Sequence, residues 1–168
     1  MTERRAFTLV EILVVVVVLG VIAAIVIPAA SNATTSAKDA ALAHDVQMLR
    51  RYILVYKSQH LEVAPGYPNG DTTQAPTEQA FIEQITWAST VDGQTAAKGT
   101  PGFDYGPYLM KIPTNPFNHK STVQMLADGA NFPAAADGNH GWVCKAATSE
   151  IRPDNTGSNQ NGKRYYDY

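Results

Sequence analysis

Between Phe7 and Ile27 the chain is almost uniformly apolar, and the one charge inside that run is Glu11, close to its start. A helix of about 21 residues is about 31 Å long, the thickness of a hydrocarbon core of about 30 Å, so the run predicts a single membrane span. Residues 14–18 are all valine. In water they favour a strand, but lipid offers no partner to an open strand edge and forces the helix. Past Pro28 and the small polar stretch 29–36 the pattern becomes amphipathic, with Leu42, Val46, Leu49, Ile53 and Tyr56 recurring at helical spacing. Lys38, Asp39, Asp45, Arg50 and Lys57 fall off that stripe and read as a solvated face. One long helix is predicted over residues 7–58. Gly20 and Pro28 are its points of weakness, because proline removes a ladder hydrogen bond and glycine loosens the backbone.

Residues 64–71 are dense in turn formers and end that helix. A second, short helix is predicted over residues 77–88, with Thr77 as its N-cap, Glu78 in its first turn and Phe81, Ile82 and Ile85 facing inward. Beyond it, Asp92-Gly93, Gly106-Pro107, Ile112-Pro113, Asn115-Pro116, Asp128-Gly129 and Asp137-Gly138 leave room only for short strands. The candidates are 122–126, 141–146 and 150–152, the last two forming a hairpin. Residues 154–163 are polar, rich in asparagine and glycine, and predict a mobile loop. Tyr165, Tyr166 and Tyr168 are placed to pin the chain back onto the sheet. The fold class is α+β: a long N-terminal helix, half transmembrane and half amphipathic, packed on a small antiparallel sheet with irregular loops.

Composition narrows the function. The 168 residues carry a net charge of −2 from 13 basic and 15 acidic side chains, without the dense basic face that nucleic acid requires. Cys144 is the single cysteine, so no disulfide closes within the chain. Arg4 and Arg5 precede the apolar run and no basic residue follows until Lys38, which by the positive-inside rule leaves the N-terminus cytoplasmic and the rest outside. A carboxylate costs about 2.5–3.5 kcal/mol at the centre of a membrane helix and less toward its ends. Glu11 therefore calls for a partner, unless it merely snorkels to the interface.

Arg4-Arg5-Ala6-Phe7-Thr8-Leu9-Val10-Glu11, followed by this apolar run, resembles the N-terminal signature of the type IV pilin superfamily. The resemblance implies a leader of residues 1–6, a transmembrane assembly helix of 7–30, its periplasmic continuation over 31–58 and a small head of 59–168. It implies that a prepilin peptidase cuts between Ala6 and Phe7 and methylates the new amine of Phe7. Ala6 stands where the family usually has glycine. It further implies that Glu11 of one subunit pairs with the amine of its neighbour, setting an axial register because a misplaced copy leaves both charges unpaired. Head-to-tail copies related by a non-closing operation then build a filament.

Residues 49–68 and 106–117, with Gly66-Tyr67-Pro68 and Asn115-Pro116-Phe117, are similar to the corresponding segments of major pseudopilins of type II secretion. That likeness implies a structural subunit of an inner-membrane and periplasmic pseudopilus that drives protein export across the outer membrane. Its implied partners are further copies, minor pseudopilins, the peptidase, a platform protein and an assembly ATPase. Cofactors are expected to be none: no acidic cluster matches the calcium-binding loop of the better-known pseudopilins. The alternative within the superfamily is a type IV pilus subunit for adhesion or motility.

Other classes fit less of the chain. A cleaved secretory signal finds small residues at Ala29-Ala30-Ser31, but Glu11 interrupts it and the run exceeds the usual length of about 7–15 residues. Arg4-Arg5 also suits a twin-arginine signal, against which the strongly apolar run argues. A tethered enzyme or binding domain is drawn from His140 and Cys144 with Asp137 and His119 nearby, as a zinc site or a Cys/His nucleophile. Without HExxH, CxxC, GxSxG or a phosphate loop, the chain is read as no enzyme, and Cys144 as a small buried or edge residue.

Overall fold

The computed structural model describes residues 8–168, so Ala6 and Phe7, where cleavage and methylation are expected, lie outside the described residues. Helix α1 runs over Leu9–Gln59 without a break at Gly20 or Pro28. The chain divides after Lys38 into an N-terminal unit and a head, Asp39–Tyr168.

In the N-terminal unit every large apolar side chain from Leu9 to Ile27 is at least 50% exposed. Among the described residues α1 is the one helix long and apolar enough to cross a membrane.

The head is built on the outer stretch of α1. Leu42, Val46, Leu49, Ile53 and Tyr56, the stripe read from the sequence, are all buried and form one core with Phe81, Ile85, Val123, Trp142, Cys144 and Ile151. Helix α2 covers Glu78–Thr86, and the Thr77 hydroxyl caps it by accepting from the Ala80 N–H at 3.2 Å. Phe81 and Ile85 are buried, with Ile82 half-buried at the edge of the core. A small antiparallel pair follows, β1 (Ala88–Ser89) and β2 (Thr95–Ala96), joined through the Asp92-Gly93 turn.

The main sheet has the order β3-β4-β5, with β3 at Val123–Met125, β4 at Trp142–Lys145 and β5 at Glu150–Pro153. The expected hairpin is β4–β5, antiparallel, closed by a 3-10 turn over Ala146–Thr148 and Ser149 in the left-handed region. β3 pairs with β4 in parallel, a refinement of the all-antiparallel expectation. The long connection from Leu126 to Gly141 returns the chain so that β4 runs alongside β3, which a tight hairpin cannot do. Central β4 is buried on both faces: Trp142 and Cys144 face the α1 core, while Val143 packs with Leu126 and Tyr166 on the other side. A strand enclosed on two sides reads as a continuous apolar run, as Trp-Val-Cys does here.

Two readings are corrected. Residues 154–163 are not a free loop throughout: Asp154 and Asn155 are buried, and Asn159 closes a turn, its N–H donating to the Lys163 carbonyl and its Oδ1 accepting from the Lys163 N–H, while most of the rest is exposed. Arg50 is not simply a solvated charge but donates to the main-chain oxygens of Tyr168 at 2.7 Å and Ile151 at 3.1 Å. Tyr165 and Tyr166 do anchor the last turn, one on each face of the sheet.

Candidate functional site

The start of α1 is organised by two side chains. Thr8 stands immediately before the helix, and its hydroxyl accepts from the Glu11 N–H at 3.2 Å while Glu11 Oε2 accepts from the Thr8 N–H at 2.8 Å and the Thr8 hydroxyl at 2.7 Å. This reciprocal arrangement is a capping box, satisfying amides that a helix end otherwise leaves open. Among the described residues Oε1 of Glu11 has no hydrogen-bond partner. The carboxylate is thus fixed through one oxygen and free through the other, at the head of a wholly exposed apolar surface. Among the described residues Thr8 and Glu11 alone take part. Gly20 and Pro28, the expected weak points, are held in regular helix.

Residues named for the enzyme reading are dispersed or blocked. Cys144 is fully buried, and desolvation pushes its thiol up to about 12, so no thiolate is available for nucleophilic attack. His119 is exposed and has a positive φ, whereas the thiol is buried. Among the described residues Asp137, His140 and Asp154 bring ligand atoms within 4.8 Å of one another, and His140 Nδ1 is buried without a partner. Asp154, however, already accepts from the N–H groups of Asp137 (3.0 Å), Gly138 (3.1 Å) and His140 (2.8 Å). These converging amides hold the Asp154 carboxylate in place at the start of the loop. Hydrogen bonding from Asn139 holds the Asp137 carboxyl below the ordinary range, as expected of a loop-capping carboxylate.

A polar core near the end of α1 has no counterpart in the hydrophobic pattern. Gln84 is buried and uses its whole amide: Oε1 accepts from Gly66 N–H (2.8 Å), and Nε2 donates to the carbonyls of Tyr67 (2.8 Å) and Gly93 (2.9 Å). Its carboxamide ties α2 to both neighbouring turns. Glu78, expected only as a first-turn acid, accepts from the Val123 N–H at 2.8 Å and links α2 to β3.

The comparisons with known proteins agree with the N-terminal geometry. Residues 1–27 match the prokaryotic N-terminal methylation motif. The type II secretion system core protein G of Pseudomonas aeruginosa is 28% identical over 83% of this chain and 88% of its own length. Those of Klebsiella pneumoniae (26%, over 77% of this chain and 79% of the relative) and Aeromonas hydrophila (27%, over 77% and 78%) align similarly. The chain is pilin-like at its N-terminus and similar along most of its length to core protein G of type II secretion systems. No solved structure matches it significantly. These pseudopilin-like relatives are each named as a core protein of a type II secretion system.

Proposed function

We propose that the chain is inserted as a single-pass precursor with its N-terminus in the cytoplasm, trimmed between Ala6 and Phe7, methylated on Phe7, and polymerised into a periplasmic pseudopilus. The observation that supports this most is Glu11: its carboxylate is oriented by Thr8, keeps one oxygen open, and heads an exposed apolar helix. After cleavage the amine of Phe7 on a neighbouring copy supplies the missing counter-charge. In hydrocarbon a misregistered copy leaves a carboxylate and an amine both desolvated and unpaired, so the pair selects the axial step. Lateral packing of the apolar helices supplies the remaining contact, and Gly20 and Pro28 are the places where α1 loosens as subunits leave the bilayer. Growth of the filament pushes folded cargo through an outer-membrane channel. Its energy comes from a partner ATPase acting through a membrane platform.

The test is co-expression of the full-length chain with a prepilin peptidase, followed by mass measurement of the N-terminus and electron microscopy of filaments. Expected are the loss of residues 1–6, one added methyl group on Phe7, and filaments. A mature protein that keeps Arg4 and Arg5, or that begins near Ser31, overturns the reading.

A further inference from the structure

The segment from Asp137 to Gly141 runs ahead of β4, and much of its main chain is satisfied by side chains from elsewhere. Its N–H groups at Asp137, Gly138 and His140 converge on the Asp154 carboxylate, which is 1% exposed. Its carbonyls are met from the opposite side. Lys120 Nζ donates to Gly138 at 2.8 Å and Asn139 at 3.0 Å, Asn118 Nδ2 to His140 at 2.6 Å, and Asn115 Nδ2 to Gly141 at 2.9 Å. Asn118 Nδ2 also donates to the Asp154 carbonyl, and Asn115 Nδ2 to Asn155 Oδ1, so one set of side chains fastens both strands of the connection. Gly141 fits against this network because a Cβ there would collide with the main-chain oxygen of Lys120.

Calcium binds six to eight oxygens, usually loop carbonyls and carboxylates. Here four successive carbonyls of the loop already accept from nitrogen donors, two of them from one ammonium, and the buried carboxylate already accepts three amides. We propose that this loop and the tail after β5 are locked by two ions of the chain itself, the Lys120 ammonium and the Asp154 carboxylate, so that the head folds without a bound divalent cation. The lysine stands in for a metal on the carbonyl side, and the aspartate organises the amide side. In this the loop differs from the calcium-binding loop of the better-known pseudopilins, for which the chain shows no matching acidic cluster. It does not rest on filament assembly.

The experiment is thermal melting of the full-length chain in detergent micelles, with excess calcium, excess zinc or a chelator. Each addition is expected to move the melting temperature by less than about 1 °C, whereas a cation held well above its dissociation constant would raise it by roughly 5 °C or more. Asp154→Ala is expected to lower the melting temperature by roughly 10 °C, and Lys120→Met, on the surface, by roughly 3 °C. Stabilisation by calcium or zinc overturns the proposal, as does a Lys120→Met variant that melts like the native chain. If Asp154→Ala does not fold, the native and Lys120→Met melts still decide. Filaments are not read in this assay, so failure of the pseudopilus reading is separately visible.

Discussion

The imidazole of His60 lies flat on the ring of Tyr56, with centroids 3.7 Å apart and planes 4° from parallel. Its Nδ1 is 2.7 Å from the Tyr56 carbonyl and must carry the proton, while Nε2 accepts from the Ser89 hydroxyl at 2.9 Å. Ser89 is in turn paired with Tyr105 through both main-chain groups. One buried neutral ring therefore joins the end of α1 to β1 and the loop beyond it.

Burial holds the His60 pKa below its ordinary value, against the opposing effect of its bond to Tyr56. An unfolded histidine takes up a proton near pH 6.5. Below that pH the unfolded chain gains a proton that the native ring resists, so the stabilisation is complete above about 6.5 and is lost as the pH falls. Urea midpoints of native and His60→Phe chains at pH 7.5 and 5.5 check this. The native protein should lose more stability on acidification than the variant, and equal slopes would contradict the assignment.

Gln84→Leu should destabilise the head by about 2–4 kcal/mol, because it leaves the Gly66 N–H and the Gly93 carbonyl buried without partners and the Tyr67 carbonyl with the Gly70 N–H alone. Gln84→Glu should also be poor, since a carboxylate cannot donate to Tyr67 and Gly93. Denaturant titration gives the loss directly. A change within about 0.5 kcal/mol would mean that water replaces the amide.

How much of this was legible in the sequence depended on whether the signal was periodic or relational. Leu42 to Tyr56 could be read because burial on a helix repeats with the helix, and β4 and β5 because turn formers bracket them. Glu11 was legible because hydrocarbon makes any charge conspicuous. His60, Gln84 and Asp154 were not, since each gains its role from main-chain groups far away in sequence. Residues 154–163 have the composition of a disordered stretch, yet Asp154 and Asn155 are fixed by amides and carboxamides that composition does not register. The parallel pairing of β3 and β4 was hidden for a similar reason: short strands show their faces but not their neighbours.

Arg50 fastens the last residues to α1 by donating to Tyr168 and Ile151. Arg50→Met should cost about 1–2 kcal/mol and expose the tail to carboxypeptidase. Arg50→Lys should restore little, because a single ammonium lacks the planar fork that reaches two carbonyls at once. Digestion rates of the three chains separate the cases. A lysine variant as resistant as the native chain would show that charge alone suffices.

Cys144 should resist alkylation in the folded head at pH 8, where a thiol pushed up to about 12 is essentially all protonated and enclosed. Labelling should then appear in step with unfolding as urea is raised. Rapid modification of the native protein would place the thiol in solvent and reopen the question of its reactivity.

Glu11 has two separable roles, one within its own helix and one between copies. Glu11→Gln keeps a carbonyl oxygen to accept from the Thr8 N–H but removes the charge, whereas Thr8→Ala removes the hydroxyl that accepts from the Glu11 N–H and keeps the carboxylate. Loss of an N-cap hydroxyl costs about 1 kcal/mol and frays the first turn. Thr8→Ala should therefore leave charge pairing possible with a less ordered partner, and filaments should form in reduced amount. Glu11→Gln should insert and lose residues 1–6 normally yet give almost no filaments, because an amide cannot compensate the neighbour's cationic amine in hydrocarbon. N-terminal mass measurement and electron microscopy on the same preparations distinguish processing from assembly. Abundant filaments from Glu11→Gln would show that the cap, not the charge, is what the subunit requires at this position.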